Sequence, residues 1–271
     1  MSSASLFVSE LRILFLRKRT WAILAALATV PILIAVAIRL STSEGEGRGP
    51  SFIGQISNNG FFVATAALTV AIPLFLPLTV SVVAGDAIAG EAAAGTLRYL
   101  LVAPAGRIRL LVVKYVGAAA FSFAAVLAVV IAGTLIGLAL FPVGPVTLLS
   151  GDTISVGESL ARTLLVVLYV TLSLLGLSAI GLFFSTLTDA PIGAIAATAV
   201  LSVISQVLGQ LPQLEWLHPW LFTDSWLGFG DLLRQPISWA TFGDNAILQG
   251  GYFVVFALAA WARFTTKDVL S

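Results

Sequence analysis

Six stretches of the chain contain no charged residue for 18 or more positions, and they constrain the fold more than any other feature. A charge at the centre of a bilayer costs about 2.5 to 3.5 kcal/mol on insertion scales, and a spanning helix needs about 20 apolar residues. The stretches are residues 20–38, 49–85, 115–151, 163–188, 190–214 and 245–262. The sequence therefore predicts an all-α polytopic membrane protein. Its six transmembrane helices are expected at about 21–39, 61–84, 115–141, 163–186, 190–211 and 246–263.

Composition agrees with this class and excludes several functions. With 59% hydrophobic and 10% charged residues, the chain differs from soluble domains, in which about a quarter of residues are charged. A net charge of +1 gives no reason to expect a nucleic acid partner. The absence of cysteine and the single histidine, His218, argue against thiol catalysis and against a histidine or cysteine metal site. No nucleophile and base pair can be assembled, so we expect neither an enzyme nor a cofactor site in this chain.

The distribution of basic residues predicts the orientation. Ten of the 14 Lys and Arg residues fall before the first span, between spans two and three, or after the last span. By the positive-inside rule both termini and the loop 85–114 are cytoplasmic, and the protein is a multi-pass protein of the cell membrane. The alternative is a cleaved signal peptide covering the first span. It is disfavoured because no small-x-small cleavage site precedes "RLSTSEG".

Residues 1–19 form a separate N-terminal segment before the six-span domain, 20–271. Its apolar residues recur at steps of three and four, which is typical of an amphipathic helix lying in the cytoplasmic membrane interface. These residues are Leu6, Phe7, Leu11, Leu14 and Phe15. The alternative is that the basic "RKR" only sets the orientation of the first span.

The loop between spans two and three contains an apolar motif with a defined start and stop. "GEAAAGT" has the spacing of a phosphate-binding loop, but it lacks the lysine that would reach a phosphate, so we predict no nucleotide site. Thr96 can cap a short helix over 97–103, which Pro104 ends. Leu97, Leu100 and Leu101 share one face of this helix, and an exposed apolar face needs a partner surface. The alternative is a solvated loop whose charges only set the topology.

This loop resembles the signature of the permease subunits of type-2 ABC exporters, over about ten positions in roughly 25 residues. The matching residues are Glu91, Gly95, Thr96, Leu97, Leu100, Leu101, Pro104, Arg107, Leu110, Leu111 and Lys114. The rest of the chain agrees with that family in its topology. Arg98 and the three alanines at 92–94 stand where family members often carry acids, so charge pairing with a partner is expected to differ.

The resemblance implies a function and a set of partners. The 97–103 helix would be a coupling helix that docks on a separate cytoplasmic ATPase, present in two copies that bind ATP and Mg. Glu91 would anchor the base of this helix, and Asp189, between spans four and five, would also contact the ATPase. The residues around Asp189 themselves predict a helix N-cap followed by Pro191. The membrane domain would pair with a second copy or a paralogue and export a lipophilic or amphiphilic substrate.

The segment 212–245 before the last span is rich in tryptophan. Four of the six tryptophans lie here beside acidic residues, a mixture typical of the lipid headgroup level. We expect short helices in the outer leaflet, with Trp216, Trp220 and Trp226 as candidates for an external gate. The alternative is an aromatic belt that anchors the last span and contacts membrane lipids.

The fifth span carries a polar strip that could line a path or bond to neighbouring helices, and helix packing is slightly favoured. The strip consists of Ser202, Ser205, Gln206 and Gln210. No ionisable residue falls near the centre of a predicted span, which disfavours an ion-driven secondary carrier. An ATP-driven exporter subunit is the preferred function. A membrane scaffold that binds a cytoplasmic partner is the main alternative.

Overall fold

The structure, a computed structural model, describes residues 3–43, 60, 62–97, 106–142, 146–147 and 153–266. Within these ranges six helices are long and apolar enough to cross a membrane. They are Lys18–Ser43, Phe62–Ala93, Arg107–Leu140, Val156–Leu187, Pro191–Leu208 and Trp239–Thr266, referred to below as spans one to six. The prediction of an all-α polytopic membrane protein is confirmed.

Four spans extend about two turns further at one end than the charge-free stretches predict. Span two continues to Ala93, span three begins at Arg107, span four at Val156 and span six at Trp239. A charge-free stretch marks the apolar part of a helix, whereas the backbone can continue as a helix through charged turns beyond it. The predicted boundaries were therefore too short by about two turns at these ends.

The N-terminal helix, Ser3–Leu16, is separate from span one. Side chains of span one satisfy the carbonyl groups at its end: Thr20 donates to Leu14 at 2.6 Å and the indole of Trp21 donates to Phe15 at 2.8 Å. Leu14 and Phe15 also pack against the main core. A distinct N-terminal helix is thus confirmed, and its last turn is fixed to the bundle.

Span four is the centre of the bundle, and span six lies at its edge. In the most apolar 18-residue stretch of span four 67% of the residues are buried, compared with 17% in that of span six. Small residues bring spans two and three together: a Cβ added to Gly133 would lie 2.7 Å from the Cα of Ala64. Close contact between small residues therefore packs span three against span two.

Span two contains a π-helical segment, Ala71–Phe75. Pro77 has no N–H and cannot donate the usual helical hydrogen bond to the carbonyl of Pro73. The side-chain amide of Gln206 in span five donates to that carbonyl instead, at 2.8 Å. A polar side chain thus satisfies a backbone group that proline has freed inside the bundle.

The two ends of the bundle differ. One end, the terminal face, carries the N-terminal helix, the end of span two, the start of span three and the last turn of span six. The other end carries the short antiparallel strands β1 (Val146–Thr147) and β2 (Thr153–Ile154). It also carries the cover, which we define as the two 3₁₀ helices Pro212–Trp220 and Asp224–Leu233. The predicted short helices before span six are therefore present.

Candidate functional site

A buried lysine joins three elements at the terminal face. The ammonium of Lys114, in span three, lies 3.0 Å from the carboxylate of Glu91 in span two and 2.9 Å from that of Glu10 in the N-terminal helix. Its side chain is only 5% exposed. A buried cation needs such partners, because an unpaired charge in an apolar surrounding is strongly destabilising. Lys114 therefore fixes the N-terminal helix and both sides of the loop 94–106 to one another.

A second ion pair lies beside the first. The carboxylate of Asp86 is 3.2 Å from the guanidinium of Arg19 and 3.8 Å from that of Arg17. Together the two groups of charges line a cavity of about 360 Å³ between the N-terminal helix and spans one, two and three. We call these six residues the charged cluster: Glu10, Arg17, Arg19, Asp86, Glu91 and Lys114.

Glycine ends span two with a defined geometry. The N–H of Thr96 donates to the carbonyl of Glu91, and the N–H of Gly95 donates to that of Ala92. This pair of bonds is a Schellman motif, which needs a left-handed residue, and Gly95 has a φ of 70°. The Thr96 hydroxyl also donates to the Glu91 carboxylate. Glu91 thus contacts the start of the predicted coupling helix as well as Lys114.

The expectation that Leu97 exposes an apolar side chain is wrong. Leu97 is 3% exposed and packs in a cluster with one residue each from spans two, three, four and six. Those residues are Ile88, Leu111, Leu182 and Phe264. The prediction placed Leu97 on an exposed face because it was based on the short helix alone and included no contacts with the spans. The other predicted residues of this helix, Arg98, Leu100, Leu101 and Pro104, lie outside the described residues.

Arg107 holds the other end of the same loop. Its guanidinium donates to the carbonyl groups of Phe264 at 2.7 Å and Thr265 at 2.8 Å, in the last turn of span six. The carbonyls at a helix C-terminus lack intrahelical donors and carry partial negative charge, so an arginine is well suited to this position. The loop is therefore fixed to span six at Arg107 and to the charged cluster at Thr96.

The turn between spans four and five is short. Span five begins at Pro191, and its N-cap position is Ala190, which makes no side-chain cap bond. The hydroxyl of Thr188 accepts from the N–H of Ala190 at 3.0 Å. The prediction that Asp189 is the N-cap is wrong by one residue, because proline at the first helical position fixes the start.

The polar strip of span five turns mainly toward other helices. Gln206 binds the Pro73 carbonyl, Ser205 lies 2.7 Å from the Thr223 hydroxyl, and Ser202 is buried and donates to Ala199. Gln210 lies beyond the end of the helix and is exposed. Three of the four residues therefore contribute to packing, which is the interpretation that the sequence slightly favours.

The three candidate gate tryptophans have different environments. Trp216 and Trp220 are 72% and 70% exposed, as expected for the headgroup level, whereas Trp226 is 2% exposed. The indole of Trp226 donates to the carbonyl of Ser173 in span four at 2.9 Å. Trp226 is therefore not a surface residue like the other two candidates, and its side chain fixes the cover to the bundle.

Sequence reasoning missed Arg162, which holds the cover from span four. Its guanidinium donates to the carbonyls of Leu232 at 3.0 Å and Arg234 at 2.8 Å, and it pairs with Glu158 at 2.9 Å. Arg162 was counted only as an orientation charge. A buried arginine with several acceptors is recognisable from the fold but has no local sequence signal.

Comparison with known proteins gives one family. Residues 32–270 match the family model DUF2705, described as a protein of unknown function. No curated protein matches the chain.

Proposed function

We propose that this chain, which belongs to the DUF2705 family of proteins of unknown function, is the transmembrane subunit of an ATP-driven exporter of the type-2 ABC class. It would form the translocation path and couple to a separate cytoplasmic ATPase through the 97–103 helix. ATP and Mg would bind to the ATPase, and this chain would catalyse no reaction itself.

The way in which the loop 94–106 is fixed at both ends carries the proposal. Thr96 and Glu91 attach its start to the charged cluster, and Arg107 attaches its end to the last turn of span six. Buried Leu97 adds contacts with four spans. A force applied to residues 98–105 would therefore reach the N-terminal helix and spans two, three, four and six together. A loop that only sets the topology has no need of such connections.

The resemblance of the loop to the type-2 exporter signature supplies the identity of the partner. The proposal also assigns the orientation, the membrane, the oligomer and the cargo. The terminal face would be cytoplasmic, the chain would lie in the cell membrane, and a second copy or a paralogue would complete the path. Trp216 and Trp220 would lie at the external mouth. The apolar bundle fits a lipophilic or amphiphilic cargo moved outward.

Affinity purification of the full-length chain from native membranes in mild detergent tests the proposal. An ATP-binding subunit is expected to purify with the chain and to hydrolyse ATP. Leu100→Asp and Leu101→Asp introduce charge into the predicted docking face and are expected to lower its recovery at least about tenfold, which corresponds to 1.4 kcal/mol. Leu97 is unsuitable for this test because its side chain is buried.

The matched control is Leu227→Asp, which makes the same change at an exposed leucine of the cover. Its recovery of the ATPase is expected to equal that of the unmodified chain. Recovery of a partner without an ATP-binding fold would favour the scaffold alternative. Unchanged ATPase recovery with both loop variants would reject the docking assignment.

A further inference from the structure

An apolar groove lies on the outer side of span six next to the cover, and the charged cluster does not involve it. Its volume is about 730 Å³, within the range of about 300 to 1,000 Å³ that is typical of small-molecule sites. Seven of its lining residues follow the steps of three and four that define one helix face. They are Asp244, Ile247, Leu248, Gly251, Tyr252, Val255 and Phe256. Pro219 and Trp220 of the cover complete the lining.

The groove is polar at one end and apolar along its length. Asp244 lies at the end near the cover, and Phe256 lies twelve residues further along, about 18 Å away at 1.5 Å per residue. Among the described residues the carboxylate of Asp244 forms no ion pair and no hydrogen bond. An exposed carboxylate beside an apolar surface is complementary to a cation that carries an apolar body.

Aromatic side chains that line the same groove favour the same ligand. The Tyr252 hydroxyl donates to the Trp220 carbonyl at 2.7 Å, which holds the cover against span six. Tyr252 also stacks on Phe256, with ring centroids 6.1 Å apart. Aromatic faces attract organic cations. The aromatic wall of the groove is therefore held in place before a ligand arrives.

The lining residues disfavour an ordinary phospholipid. No lysine, arginine or histidine is among the described residues that line the groove. A lipid phosphate next to Asp244 would meet like charge without a compensating cation. A molecule with a positive group and no anionic group avoids this repulsion.

We infer that this groove binds a lipophilic cation, with the positive group beside Asp244 and the apolar, aromatic body along Leu248, Tyr252, Val255 and Phe256. The inference rests on the proposed function in one respect: the bound cation represents the class of exported substrate only if the chain is an exporter subunit. Binding itself is a property of this chain and needs no ATPase.

Equilibrium dialysis of the purified full-length chain in nonionic detergent tests the inference, with protein-free micelles as the blank. The probes are tetraphenylphosphonium and tetraphenylborate, which match closely in size and shape and differ in the sign of the charge. The chain is expected to bind the cation at least about tenfold more tightly than the anion. Equal binding of the two ions would overturn the inference.

Two pairs of variants locate the site. Asp244→Asn is expected to weaken cation binding about tenfold, whereas Glu215→Gln, which removes an exposed charge from the cover outside the groove, leaves it unchanged. Gly251→Leu is expected to fill the groove and abolish cation binding. Gly250→Leu makes the same change at the neighbouring position, which does not line the groove, and is expected to have no effect.

Added Cβ atoms at Gly250 and Gly251 meet nothing within 4 Å, so both leucine variants are expected to fold. The thermal midpoint and elution volume of each variant check this expectation.

Cation binding that survives Gly251→Leu or Asp244→Asn would overturn the inference. A second result would also overturn the inference: the unmodified chain binds no cation, and Gly251→Leu changes its oligomeric state. The groove would then bind a second copy of the chain. Recovery of the ATPase is measured separately, so failure of the coupling proposal and failure of this site give different results.

Discussion

The ammonium of Lys114 lies 3.0 Å from the carboxylate of Glu91, and this contact connects the start of span three to the end of span two across the loop 94–106. Glu91 also accepts from the hydroxyl of Thr96, and Lys114 also binds Glu10 of the N-terminal helix. One lysine therefore determines how the N-terminal helix and the loop are placed relative to each other.

Lys114→Met is expected to lower the free energy of unfolding by about 3 kcal/mol, because it leaves two partly buried carboxylates without a cation. Thermal unfolding in detergent measures the change. Lys18→Met removes an exposed lysine and is the matched control, with an expected change within about 0.5 kcal/mol. Adding Glu10→Gln and Glu91→Gln to Lys114→Met is expected to recover most of the loss. A triple variant less stable than Lys114→Met would contradict the assigned pairing.

Arg107→Gln is expected to loosen the last turn of span six, because two carbonyls lose a charged donor worth about 2 kcal/mol. Hydrogen exchange of peptides covering 258–266 should be faster in this variant. Arg263→Gln removes an exposed arginine from the same turn and should have a smaller effect. Equal exchange in Arg107→Gln and the unmodified chain would show that Arg107 does not connect the loop to span six.

Gln206→Leu is expected to reduce stability by about 1 kcal/mol, because the Pro73 carbonyl loses its donor inside the bundle. Gln210→Leu makes the same substitution at an exposed position and should change the unfolding midpoint little. If Gln206 served only to line a transport path, the two variants would be equally stable. Comparing their midpoints separates packing from a role in the path.

Gly133→Ala is expected to destabilise the bundle by about 2 kcal/mol or more, because the new methyl group would collide with the backbone of Ala64. Gly250→Ala, at a position with open space, is expected to be neutral or to stabilise span six by up to about 1 kcal/mol. The yield of folded protein and the unfolding midpoint report both effects. Similar behaviour of the two variants would argue against close packing of spans two and three.

The fold class was predictable because insertion into a bilayer depends on local composition. Charge-free stretches located six spans, although the end of span two was predicted at 84 and lies at Ala93. The predicted helix ends were less accurate. Spans three and six begin at Arg107 and Trp239, and each continues through turns that contain charged residues before its apolar part. The contacts of Pro73 with Gln206 and of Gly133 with Ala64 join different spans and became known only from the packing.

The candidate site was predictable only in part because its key contacts are distant in sequence. Glu91 and Lys114 were identified by the loop signature, whereas Glu10 is 104 residues from Lys114 and gave no signal. Leu97 and Trp226 were assigned to surfaces because their local patterns are amphipathic, although both are buried against spans that are distant in the sequence. Arg162 was missed for the same reason.

Photo-cross-linking in native membranes tests the central claim most directly. A benzoylphenylalanine placed at Leu100 is expected to form an adduct with an ATP-binding subunit, and the same residue placed at exposed Leu227 is expected to form none. An adduct with the ATPase from position 227, or adducts from position 100 with lipid alone, would contradict coupling through the 97–103 helix.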